Sequence, residues 1–238
     1  MTPRDHCLST APRPRSPLHL YEHILPFGVW KIAVYFDVHG SVHMCCMAEK
    51  CNTFKRRLEK IHAGNTVYFN KALDLPEREE EISLMVGVSE NTKKIMRNHF
   101  YVVQVLRRYF NLLEQFPHRG VNGGSNFGEY ASSQHSDARR AEFQELLSGI
   151  RLTLPKQGPM NHSVWDELRK IPLGTVLSET EFERRCGLQG KGSVWRWALR
   201  WNMHQILIPS HRIVGVHRGC TLLSRDQIKC LRDIERSL

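Results

Sequence analysis

The stretch Ile206–Gly215 reads ILIPSHRIVG and is the most informative part of the chain. At its centre is the polar tetrapeptide Pro209-Ser210-His211-Arg212. The runs on either side, Ile206–Pro209 and Ile213–Val216, are rich in leucine and β-branched residues and favour short strands. A polar loop between two strands can present a reactive group at the surface of a domain.

Residues 160–238 repeat the spacing of a known family. The loop, together with the residues before it, resembles the O6-alkylguanine-DNA alkyltransferases, whose motif at this place is Pro-Cys-His-Arg. The positions that carry the resemblance upstream of the loop are Val164-Trp165, Leu168, Ile171-Pro172, Gly174, Ser178 and Asn202.

The resemblance implies that Ser210 occupies the place of the family's nucleophile and alkyl acceptor, a cysteine thiolate. A thiol is ionised readily by a neighbouring base, whereas a serine hydroxyl is much harder to ionise and attacks saturated carbon poorly. His211 and Arg212 match the residues that position the nucleophile and brace its loop. We therefore expect the alkyltransferase fold without transfer chemistry. A serine-dependent reaction of Ser210 with His211, with Glu235 as the acid partner, is the alternative enzyme hypothesis.

Composition favours a partner of opposite charge. The chain has 238 residues and a net charge of +10, and residues 151–238 carry 15 Lys and Arg against 8 Asp and Glu. Nucleic acid is the first candidate partner, a membrane surface the second, and no apolar run approaches the length of a membrane span. The seven cysteines show no disulfide pattern, which indicates an intracellular protein, and the charge favours the nucleus.

The fold class expected is α+β, in two domains. Residues 1–17 are predicted to be a disordered arm, and residues 18–155 a small domain built from a hairpin sheet and helices. Its predicted parts are strands over Val29–Phe36, Ser41–Met47, Thr66–Phe69 and Ile82–Val88, helices over Phe54–Ile61, Ile95–Leu113 and Ala141–Leu147, a helix end at Gly64, and a mobile loop over about 117–140.

Residues 156–238 predict a winged helix-turn-helix. An apolar helix face ends at Pro172, and Ser178 with Glu181 forms a capping box that begins the next helix. A glycine-containing turn then leads to a second helix near Ser193–Trp201. The two strands around the tetrapeptide would supply the wing, and an amphipathic helix with Ile228, Leu231 and Ile234 closes the chain.

Several candidate DNA-contacting residues lie on these two helices. Glu179 stands where the family has a tyrosine that helps rotate the target nucleotide, and Ser193 stands where it has an intercalating arginine, for which Lys191 or Arg196 could substitute. Asn202 matches the asparagine that joins the recognition helix to the loop. The remaining candidates form either a base-stacking and phosphate-binding face or, in part, core and partner contacts; they are Trp195, Arg196, Trp197, Arg200 and Trp201.

No cofactor is expected. Nor do we expect a metal, because the spacing of the neighbouring Cys and His residues matches no zinc pattern; these are His39, His43, Cys45, Cys46 and Cys51.

The functions that remain open are a monomeric DNA-binding sensor or recruiter for alkylation repair and a general DNA- or chromatin-binding, transcription-associated module. Double-stranded DNA, with or without O6-alkylguanine, is the expected partner, and a protein partner could bind the Trp-rich helix.

Overall fold

A computed structural model describes residues 16–63, 65–114, 133–155, 159–215 and 221–237. The N-terminal domain has a four-stranded sheet in the order β3-β2-β1-β4. Its strands are β1 (Leu18–Phe27), β2 (Trp30–Phe36), β3 (Val42–Met47) and β4 (Val67–Asn70). Neighbours in the β1-β2-β3 part run antiparallel, and β4 pairs with β1 in parallel. The mixed α+β architecture agrees with the expected fold class.

The predicted hairpin is confirmed as β2 and β3. Gly40 in its turn has a φ of +78°, and a Cβ atom there would lie 2.4 Å from the carbonyl oxygen of Asn98. Both the left-handed backbone and the close approach of the helix Glu90–Glu114, which carries Asn98, require glycine at this position.

Two predictions for this domain were wrong. The prediction missed β1 because His and Glu interrupt its alternation and Pro26 lies near its end, yet this strand is central in the sheet. The strand expected at Ile82–Val88 does not form: residues Glu79–Leu84 are helical, and three glutamates in the first turn favour a helix N-terminus there. Ile82 is the buried residue of this helix.

Eight α-helices lie within the described residues. They are α1 (Cys51–Ile61), α2 (Glu79–Leu84), α3 (Glu90–Glu114), α4 (Ser133–Gly149), α5 (Pro159–Arg169), α6 (Glu179–Arg185), α7 (Gly192–Arg200) and α8 (Arg225–Ser237).

Helix α4 begins eight residues before the predicted start. The mobile loop expected over 117–140 is therefore wrong for residues 133–140, where the sequence SQHSDARR has few core residues but no helix breaker. Residues 117–132 lie outside the described part of the chain, as do Gly64 and residues 1–15 of the predicted arm.

The C-terminal region is mainly helical and contains the predicted helix-turn-helix as α6 and α7. The capping box is confirmed: the main-chain nitrogen of Glu181 donates to the Ser178 hydroxyl, and the Glu181 carboxylate accepts from the main-chain nitrogen of Ser178. The first wing strand is wrong, because residues 206–208 form turns rather than a strand. Residues Ile213–Val214 form β6, which pairs in parallel with β5 (Leu177–Ser178) and not with a neighbouring hairpin strand.

The free edge of β3 joins the two regions. The main-chain nitrogen of Val42 donates to Arg151 at 2.9 Å, and Cys45 exchanges hydrogen bonds with Met203 and Gln205 at 2.9 and 2.8 Å. A single apolar core continues from the sheet through α3 and α4 to Leu207 and α8. The loop around Ser210 is thus anchored to the N-terminal sheet. No helix of the described residues has the length and apolar character needed to cross a membrane.

Candidate functional site

Ser210 lies in a short 3-10 turn, Ser210–Arg212, that is held inside the molecule. Only 3% of its surface is exposed, and its main-chain nitrogen donates to the carbonyl oxygen of Ile208 at 2.8 Å. The hydroxyl lies 3.5 Å from the hydroxyl of Thr221. This placement follows from Ile208 and Ile213, which pack into the helical core on either side of the turn.

The carboxylate of Glu235, on α8, is the hub of the buried polar network behind the turn. It contacts Nε2 of His211 at 2.8 Å and accepts two hydrogen bonds from the guanidinium of Arg212, at 2.8 and 2.7 Å. The hydroxyl of Tyr109, from α3, donates to it at 3.0 Å. All four side chains are buried. The acid expected to accompany His211 is therefore present, and it binds Arg212 as well.

Burial and charge act in opposite directions on this network. Burial alone would raise the pKa of Glu235, but His211 and Arg212 outweigh it and hold that pKa well below its usual range. Burial lowers the pKa of His211, although the carboxylate opposes the shift. The stable arrangement is a carboxylate paired with the Arg212 guanidinium and a neutral imidazole that donates from Nε2.

Two further residues fasten the turn. The side-chain nitrogen of Asn202 donates to the carbonyl oxygen of Ile208 at 2.8 Å, and its side-chain oxygen accepts from the main chain of His204 at 2.9 Å. Asn202 is buried, so its side chain links the end of α7 to the loop and does not face solvent. Arg232, which the sequence did not single out, donates to the carbonyl oxygens of His211 and Ile213.

Ser210 and His211 do not form a nucleophile-base pair. Nε2 of His211 is taken by Glu235, and Nδ1 is buried without a hydrogen-bond partner among the described residues. The described hydrogen bonds of the Ser210 hydroxyl reach Thr221 and not the imidazole. The geometry therefore does not support the serine-dependent reaction, in which the base must reach the hydroxyl.

The three tryptophans of the α7 region have different surroundings. Trp195 is completely buried, packs edge-on against Phe182 and donates from Nε1 to Glu183 at 2.9 Å. Its predicted place on a DNA-contacting face is wrong, because the first tryptophan of the helix faces the core. Trp197 is 53% exposed, and its ring lies 5.8 Å from that of the half-buried Trp201.

A cationic surface surrounds this exposed pair. Arg57, on α1, lies over the Trp201 ring at 5.2 Å and donates to the carbonyl oxygen of Arg200 at 2.7 Å. Lys191, Ser193 and Arg200 are exposed on or next to α7. Arg57 comes from the N-terminal domain, so sequence spacing within the helix-turn-helix gave no sign of it.

Glu179 and Arg196 form an ion pair between α6 and α7. The guanidinium of Arg196 also lies over the Trp195 ring at 5.0 Å. A Cβ atom added at Gly215, beyond the loop, would lie 3.6 Å from Cγ of Glu179. The predicted counterpart of the nucleotide-rotating residue, Glu179, is thus paired with Arg196, which the sequence offered as a substitute for the intercalating arginine.

The Cys and His residues of the N-terminal domain have separate side-chain contacts. His43 contacts the carboxylate of Asp37 at 3.0 Å, and Cys51 lies 2.7 Å from the Tyr35 hydroxyl. Among the described residues, no group of three or more His, Cys, Asp and Glu side chains is arranged to hold a metal ion.

The class of protein that these features define is an α+β protein with a helix-turn-helix next to a buried, polar-braced loop. Residues 159–230 match the family model described as the 6-O-methylguanine DNA methyltransferase, DNA binding domain. This region is similar to that family of DNA-binding domains, and the chain has the fold of an O6-methylguanine methyltransferase.

A solved structure shows the same fold over nearly the whole chain. The O6-methylguanine methyltransferase of Mycobacterium tuberculosis is 16% identical, with 92% of this chain and 93% of that chain covered and a TM-score of 0.50. A structure of the same enzyme in complex with DNA is 15% identical, with the same coverage and a TM-score of 0.49. The enzyme of Pyrococcus kodakaraensis strain KOD1 is 16% identical, with 91% and 98% covered and a TM-score of 0.45. No curated protein matches the chain in sequence.

Proposed function

We propose that this protein is a DNA-binding alkyltransferase homologue that recognises or signals alkylation damage without accepting the alkyl group. The observation that carries the proposal is Ser210 at the acceptor position inside an intact brace of His211, Arg212 and Glu235. The brace keeps the loop in place, whereas the hydroxyl lacks the acidity of a thiol and, within the described part of the chain, has no hydrogen bond to a base. DNA binding is thereby separated from alkyl transfer.

The proposed DNA-binding surface is the exposed side of α7. Trp197 and Trp201 offer aromatic faces, and Arg57, Lys191 and Arg200 offer charges for phosphates. We propose that double-stranded DNA binds here, that the protein acts as a monomer in the nucleus, and that a protein recruited to damage would use the part of the Trp pair that DNA leaves uncovered.

One observation favours a second candidate, a general DNA- or chromatin-binding module. Glu179 is ion-paired with Arg196; the resemblance places Glu179 at the nucleotide-rotating position and offers Arg196 as a substitute for the intercalating arginine that Ser193 replaces. A carboxylate there repels phosphate, and an arginine paired with it is less available to fill the gap left by a flipped base. A protein with this pair would bind duplex DNA with weak preference for a lesion.

The decisive experiment is a competition binding assay with duplexes that differ by one O6-methylguanine, at fixed near-physiological salt. The mass of the protein is measured in the same samples. Several-fold preference for the lesion without added mass supports the sensor, and equal binding supports the general module. A methyl adduct on the wild-type protein would contradict both.

The Ser210→Cys variant is the matched test of the missing chemistry. We expect it to gain the mass of one methyl group on incubation with the O6-methylguanine duplex, because the brace behind residue 210 is complete. The Ser210→Ala variant is the control and should bind DNA as the wild type does. No adduct on Ser210→Cys would mean that the groove beside the loop has also lost transfer competence.

A further inference from the structure

A cavity of about 390 Å³ opens beside Ser210, between the loop and α8. Its volume lies within the range of small-molecule sites in proteins. Ser210 and Thr221 line it with hydroxyl groups, and Ile213 and Ile228 supply apolar contacts. It is therefore a concave site with polar groups close together on one side.

The wall formed by α8 is strongly cationic. Arg225, Lys229, Arg232 and Arg236 all line the cavity, and their spacing of four, three and four residues places them on one face of the helix. Asp233 is the one acid among the lining residues. Four cations against one carboxylate leave a net positive charge around the cavity.

The positive charges on this wall remain available to a ligand. Arg232 donates to main-chain carbonyl oxygens, and within the described residues it forms no salt bridge with a carboxylate. Burial, followed by repulsion from Arg236, lowers the pKa of Arg232. Arg225 and Lys229 are exposed at the rim. An anion in the cavity would relieve this repulsion.

We propose that this cavity binds a phosphate group, carried either by a small nucleotide-like molecule or by the end of a DNA strand. Guanidinium groups bind phosphate oxygens through paired hydrogen bonds, an ammonium group adds a point charge, and the two hydroxyls donate to the remaining oxygens. The site goes beyond the proposed function, since it needs no duplex and no lesion.

The test measures binding to the full chain by calorimetry, at constant ionic strength. The probes are inorganic phosphate, a nucleoside 5′-monophosphate with its nucleoside as the control, and a duplex with a 5′-phosphate compared with the same duplex ending in a 5′-hydroxyl. The Arg225→Gln/Lys229→Gln variant removes two exposed charges from the cavity rim. The Arg56→Gln/Lys94→Gln variant removes two charges from exposed positions on α1 and α3 and serves as the matched control.

We expect wild-type protein and the control variant to bind inorganic phosphate or the monophosphate with equal affinity, and the rim variant to bind about tenfold or more weakly. Preference for the phosphorylated duplex would assign the phosphate to a DNA end, and a preference confined to the monophosphate would assign it to a small molecule. The proposal is overturned if wild-type protein binds none of the phosphate probes, or if the rim and control variants lose affinity equally. Since the inorganic phosphate arm contains no DNA, a failure of the proposed DNA function does not affect it.

Discussion

At the scale of single residues, Ser210 and Glu235 have opposite consequences. Ser210 gives the loop a hydroxyl that is much harder to ionise than a thiol, and only 3% of its surface is exposed. Glu235 sustains the packing, because its carboxylate is the partner of Arg212, His211 and Tyr109 at once. A buried guanidinium without a partner is far more costly than an exposed one.

We predict that Glu235→Gln lowers the free energy of unfolding by about 3–5 kcal/mol, because it leaves the charge of Arg212 buried and unpaired. Urea unfolding at neutral pH measures the change. Glu142→Gln is the control, since Glu142 pairs with Arg108 at the surface and should cost less than about 1 kcal/mol. A similar loss in both variants would show that Glu235 is not the hub.

At the scale of elements, helix α7 carries one buried and one exposed tryptophan. Trp195 points into the core against Phe182, and Trp197 points to solvent on the next stripe of the helix. One residue type therefore has two roles within three positions, and the helical period decides which role each residue has.

We predict that Trp195→Ala destabilises the protein by about 3–5 kcal/mol through the cavity it leaves. Trp197→Ala should change the stability by less than about 0.5 kcal/mol, as is usual for an exposed position, and weaken duplex binding by about tenfold. Thermal unfolding and a DNA titration on each variant distinguish the two effects. Unchanged DNA affinity of Trp197→Ala would remove the exposed tryptophan from the proposed DNA surface.

At the scale of the whole molecule, buried histidines make stability depend on pH. Burial lowers the pKa of His204 and of His23 from 6.5 to about 4, with further lowering of His23 by His99 and Arg107. Unfolding exposes both imidazoles, so the unfolded chain binds more protons than the folded chain between about pH 4 and pH 6.5. Their contribution to stability is complete above the unfolded pKa and is lost as the pH falls towards the folded values.

We predict that the free energy of unfolding decreases between about pH 6.5 and pH 4, on the order of 3 kcal/mol for each group. His23→Phe should make the decrease shallower, because phenylalanine keeps the contact with Phe36 and binds no proton. The exposed His39, replaced in the same way, is the matched control. If the free energy of unfolding depended on pH identically in wild type and His23→Phe, His23 would not be a source of the decrease.

Much of this molecule could be predicted from local sequence. The hairpin β2-β3, the capping box at Ser178, the helix-turn-helix and the terminal helix depend on contacts within a few residues, for which hydrophobic period and capping chemistry are sufficient signals. That Ser210 stands at the acceptor position stays a prediction from motif spacing. The predictions at Ile82–Val88 and Ile206–Pro209 were wrong because short apolar runs fit a strand and a packed turn or helix equally well.

Only the tertiary structure brought together residues that are far apart in the chain. Tyr109 and Glu235 are separated by 126 positions, and Arg57 and Arg200 by 143. The brace of the loop, the contact of α1 with the recognition helix and the cationic wall beside Ser210 depend on how separate elements pack. The sequence by itself determined most of the helices, the β2-β3 hairpin and the presence of a serine between Pro209 and His211, because these depend on local chemistry. Packing decided which charges meet, because charge pairing depends on distance in space.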